Sequence, residues 1–300
     1  MSLTMTPPIL FIIFNRPDLT QNVFEAIRAA TPAKLYVAAD GPRLGNMEDF
    51  EKCRETRKII EQIDWHCDKK TLFQKDNFGC TPHIVHSIDW FLDQVNEGVI
   101  LEDDCLPSLD FFRFSMELLK KYSNDERIMH IGGGNFQYGR KRGNASYYFS
   151  KYAHTFGWAT WKRAWKYFAI DSAFQVHPWD ILWWDVVKNR GLSVVPQCNL
   201  VTNIGFNHPD AVHTTWLQAK DYLRGNVPIE PMPFPLKHPS MVQADRLADN
   251  FIRYNYLWNG VEKPNKIQPL EDVFLYILGL FPRSFIGMLR IIKRKWLKWY

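Results

Sequence analysis

Short apolar runs that stop abruptly at polar residues alternate with segments of helical period across the first hundred positions. Residues 8–14 (PILFIIF) form the first run, followed by Asn15-Arg16-Pro17-Asp18 and then by Val23, Ala26, Ile27 and Ala30 at the spacing of one helix face. Residues 34–40 (KLYVAAD) predict a second strand, closed by the turn Gly41-Pro42 and followed by a helical stretch around 57–63. Thr71-Leu72-Phe73 predicts a third. Thr81-Pro82 supplies an N-cap and a proline at the first helical position for a helix through Ile84, Ile88, Phe91 and Leu92. Residues 98–104 (GVILEDD) then predict a buried fourth strand. Four strands alternating with helices predict an α/β protein built on a mainly parallel, doubly wound, Rossmann-like sheet.

After Leu106-Pro107 the rhythm changes. A helix over about 108–121 precedes the apolar residues 128–131 and the glycines Gly132-Gly133-Gly134, which either let backbone approach a ligand or form a plain turn. Beyond them lies an aromatic, turn-rich half with Trp158 and Trp161 in one cluster and Trp179, Trp183 and Trp184 in another. The first two are either core or a platform for a sugar ring.

The acids that end the fourth run are the sharpest polar signal. Glu102, Asp103 and Asp104 follow directly on an apolar strand, at the edge where open α/β sheets place ligands. Three neighbouring carboxylates repel one another unless something positive stands between them. Read alone, the segment is either an acidic turn or a site for Mn²⁺ or Mg²⁺, which take one or two carboxylates together with substrate diphosphate oxygens. Asn15 and Arg16 close the first strand and Asp40 the second, and strand ends on one side of a parallel sheet converge. An arginine for phosphate, a carboxylate for a base N–H or ribose hydroxyl and a carboxylate for a cation describe a nucleoside diphosphate. The plainer alternatives are a loop salt bridge for Arg16 and an Asp-Gly turn for Asp40. No GxGxxG or GxxxxGKS/T follows the first strand, which argues against dinucleotide and P-loop chemistry.

FNRPD after the first strand, DGPR after the second, DNFG before the third helix and LEDD together resemble the GT-A nucleotide-diphospho-sugar glycosyltransferases. Residues 179–214, with WDILWWDVVKNRG, VPQCNLVTNIGF and AVHT, extend the likeness to the N-acetylglucosaminyltransferase I group and related bacterial enzymes, over residues 8–215. The resemblance implies a GT-A-like fold in which 5–106 form the nucleotide-sugar-binding half and 107–270 the acceptor and catalytic half of the same domain. It also implies metal-dependent transfer of a hexosyl or N-acetylhexosaminyl group from a nucleoside-diphosphate-sugar donor to a glycan or lipid-linked acceptor, with inversion. By the same resemblance Asn15 and Arg16 lie at the diphosphate, Asp40 and His83 at the base, Glu102 and Asp103 on the ribose, and Asp104 and His213 on the metal. The family's general base lies in a Trp-Asp-Asp-Trp stretch, which favours Asp180 over Asp185, although Ile181 stands where the second acid would be. A sugar-nucleotide pyrophosphorylase is the enzymatic rival, and its glycine- and basic-rich loop is missing from FNRPD. A non-catalytic, membrane-associated carbohydrate-binding protein is the rival from another class.

Charge sharpens the division of labour. The net charge of +5 is smaller than the six basic residues beyond Val273 alone, where there are no acids, so the rest of the chain carries −1. That body has no basic excess of the kind nucleic-acid binders use. On a helix from Phe285 onward, Phe285, Met288, Leu289, Ile292, Trp296 and Trp299 form one stripe opposite Arg290, Arg294 and Lys298. This is the pattern of an interfacial helix on an anionic membrane, or of a helix packed on the body with a solvated basic face. Five cysteines without a CxxC pair fit reduced thiols. The expected location is cytoplasmic, peripheral at the inner face of the membrane.

Overall fold

The computed structural model describes residues 6–168, 178–206, 208–209 and 227–253. The chain divides into two units, 1–245 and 246–300, and the described part of the second contains a short helix, Arg246–Ile252. His213 and the amphipathic tail lie outside the described residues.

The first unit opens with β1 (Ile9–Ile13), α1 (Pro17–Ala30), β2 (Lys34–Ala39), α2 (Met47–Lys58), β3 (Asp68–Phe73), α3 (Cys80–Gln94) and β4 (Glu97–Glu102). It continues with β5 (Cys105–Pro107), α4 (Leu109–Lys121), β6 (Ile128–Gly132), β7 (Tyr147–Ser150), β8 (Trp158–Trp161), α5 (Lys162–Trp165), α6 (Trp179–Arg190), β9 (Leu192–Pro196) and β10 (Val201–Asn203). The described strands form an eight-stranded sheet in the order β3-β2-β1-β4-β8-β6-β9-β7, with β10 and β5 paired in a small antiparallel sheet of their own. β1 runs parallel to β2 and β4, and β2 to β3, so the ends of β1, β2 and β4 open on one side. β8 enters antiparallel between β4 and β6.

Every residue of β1 is buried, as expected of a strand covered on both faces. Alternation sorts its side chains. Ile9, Phe11 and Ile13 join Val23, Phe24 and Ile27 of α1 and Phe111, Phe114 and Leu118 of α4 in one core layer. Leu10 and Ile12 join Ile84, Ile88 and Phe91 of α3 with Trp165, Trp183 and Val187 in the other. Trp158 and Trp161 are 1% and 2% exposed, which places them in the core and removes them as a sugar platform. Trp158 stacks on His130 at 5.1 Å and meets Trp183 at 5.7 Å. Gly133 belongs to the packing too: a Cβ there would stand 2.3 Å from a Val201 methyl and 2.7 Å from the Gly157 carbonyl.

Three boundaries differ from the sequence expectation. β3 begins at Asp68, because an edge strand with mostly exposed side chains shows no apolar alternation to read. The helix expected around 57–63 is the end of α2 followed by a 3₁₀ turn, Ile59–Gln62, and α2 starts where Asn46 accepts a hydrogen bond from the Asp49 amide at 3.1 Å. α3 starts at Cys80 with Gly79 as its cap, two residues before the expected cap Thr81 and first helical residue Pro82. Among the described residues, no helix is long and apolar enough to cross a membrane.

Candidate active site at the carboxyl ends of β1 and β4

Arg16 follows β1 just ahead of α1, and the acids end β4 beside it, because Ile12 and Glu102 are register partners. The guanidinium forks across two carboxylates. Nη2 and Nε bind Asp103, the latter at 3.3 Å, while Nη1 lies 3.1 Å from Asp104 Oδ2. The Asp103 side chain is 4% exposed and that of Asp104 14%, so Asp104 is the carboxylate of this pair that a ligand can reach. Arg16 is therefore an ion-pair partner, as the plainer sequence reading had it, and its partners are the acids of the candidate cation site.

One guanidinium does not balance this cluster. Burial, followed by Asp104 and Asp103, pushes the Glu102 carboxyl up to about 8, against the pull of Arg16. Burial likewise raises Asp103 to about 6 although Arg16 draws it down. Arg16 itself is held above its ordinary range, since Asp103 and Asp104 outweigh the effect of burial. Asp180, in the first turn of α6, adds to the field on Glu102. Cys80 is an exposed residue at the start of α3, and its thiol is held above the ordinary range by partial desolvation and then by Glu102, Asp180 and Asp104. The structure thus brings Arg16, Glu102, Asp103, Asp104, Asp180 and Cys80 into one electrostatic neighbourhood.

Asp185 is exposed, and five residues beyond Asp180 it lies on another face of α6. Trp179, Trp183 and Val187 at helical spacing bury the opposite side of α6 and fix its first turn. Trp184, one turn after Asp180, packs edge-on against Tyr152 at 6.0 Å.

The residues at the end of β2 and the start of α3 form a second group. Asp40 accepts hydrogen bonds from the amides of Gly41 and Phe78, each at 2.9 Å, from the Gly79 amide at 3.1 Å and from Asn77 Nδ2 at 3.0 Å. These donors tie the loop before α3 to the end of β2. His83 is buried behind Asp40, its Nδ1 3.9 Å from Asp40 Oδ1, and both ring nitrogens lack a hydrogen-bond partner among the described residues. Burial lowers its pKa despite the pull of Asp40, which keeps the imidazole neutral. Asn15 is buried and donates to Asp49 Oδ1 at 2.8 Å, while Arg43 also pairs with Asp49. Its amide thereby orders the start of α2.

Two contributors escaped the sequence reading. Cys80 was read only as one of five reduced thiols, although it opens a CxxH spacing with His83. Gly205 stood inside the NIGF stretch, but its reason is steric: a Cβ would lie 2.6 Å from Asp104 Oδ2 and 3.0 Å from Arg16 Nη1. The Ile204 amide donates to the Asp104 carbonyl at 2.8 Å, and the Gly205 amide to Asn203 Oδ1 at 2.8 Å. The segment after β10 is thus a backbone floor under the acid.

Among the described residues no group of three or more His, Cys, Asp or Glu is arranged to hold a metal by itself. A reachable carboxylate, Asp104, inside a cluster of surplus negative charge fits a different habit. Mg²⁺ and Mn²⁺ are commonly held by one or two protein carboxylates, with waters and phosphate oxygens completing the shell.

The buried histidines give the fold a measurable pH dependence. His130 accepts from the Trp183 indole at 3.1 Å on Nδ1, so Nε2 carries the proton and bonds the His154 carbonyl at 3.0 Å. Burial lowers both His130 and His154 to about 3. An unfolded histidine titrates near 6.5, so the unfolded state holds two more protons between those values and acid favours it. Glu102 and Asp103 act in the opposite sense, but only above the ordinary carboxylate range. Below about pH 4.5 the histidines dominate this balance, and stability should fall by about 2.7 kcal/mol per pH unit from the pair. Circular-dichroism denaturation between pH 4.5 and 3.5 measures it, and a flat profile there would contradict the neutral buried pair.

No family model and no curated protein matches the chain. Among solved structures, the mannosyltransferase PcManGT from Pyrobaculum calidifontis, in complex with GDP-Man and Mn²⁺, aligns at 12% identity and a TM-score of 0.47. The alignment covers 68% of this chain and 59% of that one. HddC from Yersinia pseudotuberculosis aligns at 8% identity and a TM-score of 0.38, over 67% of this chain and 95% of that one.

Proposed function

We propose that this chain is a metal-dependent glycosyltransferase that moves a hexosyl or N-acetylhexosaminyl group from a nucleoside-diphosphate-sugar donor to a glycan or lipid-linked acceptor, with inversion. The observation that carries the reading is the meeting of Arg16, Asp103 and Asp104 at the ends of two parallel strands, with Asp180 from a distant helix in the same field. A cationic fork, a reachable carboxylate and a separately anchored carboxylate are what a diphosphate leaving group, its cation and an acceptor hydroxyl need.

Asp104 would hold Mn²⁺ or Mg²⁺, with His213 proposed as a second ligand. The bound cation supplies Lewis-acid neutralisation of the departing diphosphate. Arg16 binds a diphosphate oxygen through Nη1, while Nη2 and Nε stay on Asp103. Glu102, with its raised pKa, is protonated in large part at neutral pH and donates to a ribose hydroxyl, while Asp103 anchors Arg16. Asp40 acts on the base side by holding the loop of Asn77, Phe78 and Gly79, with His83 packed behind it and Asn15 ordering the neighbouring helix. Asp180 accepts the acceptor hydroxyl's proton. Trp184 and Tyr152 form the adjacent wall, on which an acceptor sugar stacks. Residues 271–300 bring the enzyme to an anionic membrane surface at the cytoplasmic face, a reading supported by their lack of acids beyond Val273 and their opposed basic and apolar stripes.

A thermal-shift panel of nucleoside diphosphates and sugar nucleotides, with and without Mn²⁺, tests the proposal. A ligand that binds only the folded state at about 100 times its Kd stabilises it by about 2.7 kcal/mol. One nucleotide series should raise the melting temperature in a cation-dependent way, and its sugar conjugate should slowly release nucleoside diphosphate. A pyrophosphorylase would cleave the donor only with added pyrophosphate. A binding module would release none.

A further inference from the structure

Asp104, the carboxylate read as the cation's, already has a cation on it. Arg16 is anchored independently of that contact, since Nη2 and Nε hold the buried Asp103 and only Nη1 extends to Asp104, at 3.1 Å. Asp104 has little freedom to turn away. Its carbonyl is held by the Ile204 amide, and Gly205 backs the carboxylate so closely that the space of one methyl group is missing. An incoming divalent ion therefore meets Oδ2 with a guanidinium nitrogen at hydrogen-bond distance, and two positive charges on one carboxylate repel each other. A diphosphate resolves the conflict, because its oxygens accept Nη1 and ligate the ion at once.

We infer that Arg16 is an internal stand-in for the divalent cation at Asp104, so that the site takes cation and diphosphate together as one chelate and takes each weakly alone. The inference rests on the proposed nucleoside-diphosphate reading and adds how the two ligands are coupled. Nη1 passes from Asp104 to the diphosphate as the ion arrives, while the Asp103 contacts keep the guanidinium in place. Linkage makes the effect mutual: the ion strengthens diphosphate binding by the factor by which diphosphate strengthens that of the ion.

The test is Mn²⁺ binding to the full chain, measured from free Mn²⁺ by electron paramagnetic resonance, alone and with pyrophosphate, GDP or UDP, after correction for Mn²⁺–phosphate complexes in solution. In the wild type each effective diphosphate should tighten Mn²⁺ binding by about tenfold or more, within the usual range of such couplings. Arg16→Gln removes the competitor, so Mn²⁺ alone should bind about tenfold tighter than to wild type and the gain from diphosphate should shrink to under about threefold. Arg16→Lys offers a compact ammonium that cannot span both carboxylates and should shift Mn²⁺ binding the same way, which settles the matter if the glutamine variant does not fold. Wild-type coupling retained in full by the variants overturns the exchange and leaves the nucleotide reading standing. Mn²⁺ binding that no diphosphate alters in the wild type overturns both.

Discussion

Asp104→Asn should lower Mn²⁺-dependent affinity for the nucleoside diphosphate by about 100-fold, the upper range seen when groups that hold or orient a metal are lost. The fold should survive the change. Asp104 follows a strand end, its carbonyl rather than its carboxylate bonds the Ile204 amide, and asparagine fits the same volume over Gly205. Loss of the charge frees Arg16 Nη1, so weak cation-independent binding of the diphosphate should persist or rise slightly. Isothermal calorimetry with and without Mn²⁺, beside a thermal melt, separates these terms. A well-folded variant with unchanged Mn²⁺-dependent affinity would remove Asp104 from the cation site.

The second large effect is on turnover alone. Asp180→Asn keeps the shape of the side chain but takes no proton, and general-base loss costs about 10²- to 10⁴-fold in rate. Donor affinity should change little, so the loss appears in kcat and not in the binding of the nucleotide. Asp185→Asn is the internal control, because Asp185 is exposed on another face of α6 and should leave the rate within about twofold of wild type, as surface changes usually do. Reversal of the two results would assign the proton transfer to Asp185.

The first half of the molecule was readable because most of its strands are buried on both faces and announce themselves as unbroken apolar runs. β1, β2 and β4 all lie where 8–14, 34–40 and 98–104 placed them, and their polar ends supplied Arg16, Asp40 and the three acids. β3 was only half visible because Asp68, Lys69 and Lys70 face solvent at the sheet edge. The second half was harder for a different reason. β8, β9 and β10 are three to five residues long and pair with partners far away in the chain, so no local period marks them. Abundant tryptophan hinted at a sugar platform, but Trp161 fills the core on one face of the sheet and Trp158 and Trp183 on the other, and the half-buried Trp184 is the one beside Asp180. In the same way an arginine and an aspartate can be named from strand ends, but a fork shared between Asp103 and Asp104 depends on a register between β1 and β4 that sequence does not print. Gly205 is the extreme case, since its role is an absence of atoms.

The pairing of β5 with β10 and the insertion of β8 beside β4 bear on how such a protein can change over time. β4 takes its neighbour on one flank from β8, and Asp104 takes its floor from the segment after β10, both encoded well downstream of the first hundred residues. A gene fragment carrying the first four strands alone would leave β4 with an open edge and Asp104 without the backbone beneath it. The front and back of the chain are therefore not interchangeable cassettes in this architecture. A graft that joins the front of one such chain to the back of another must carry the β5–β10 contact across the seam.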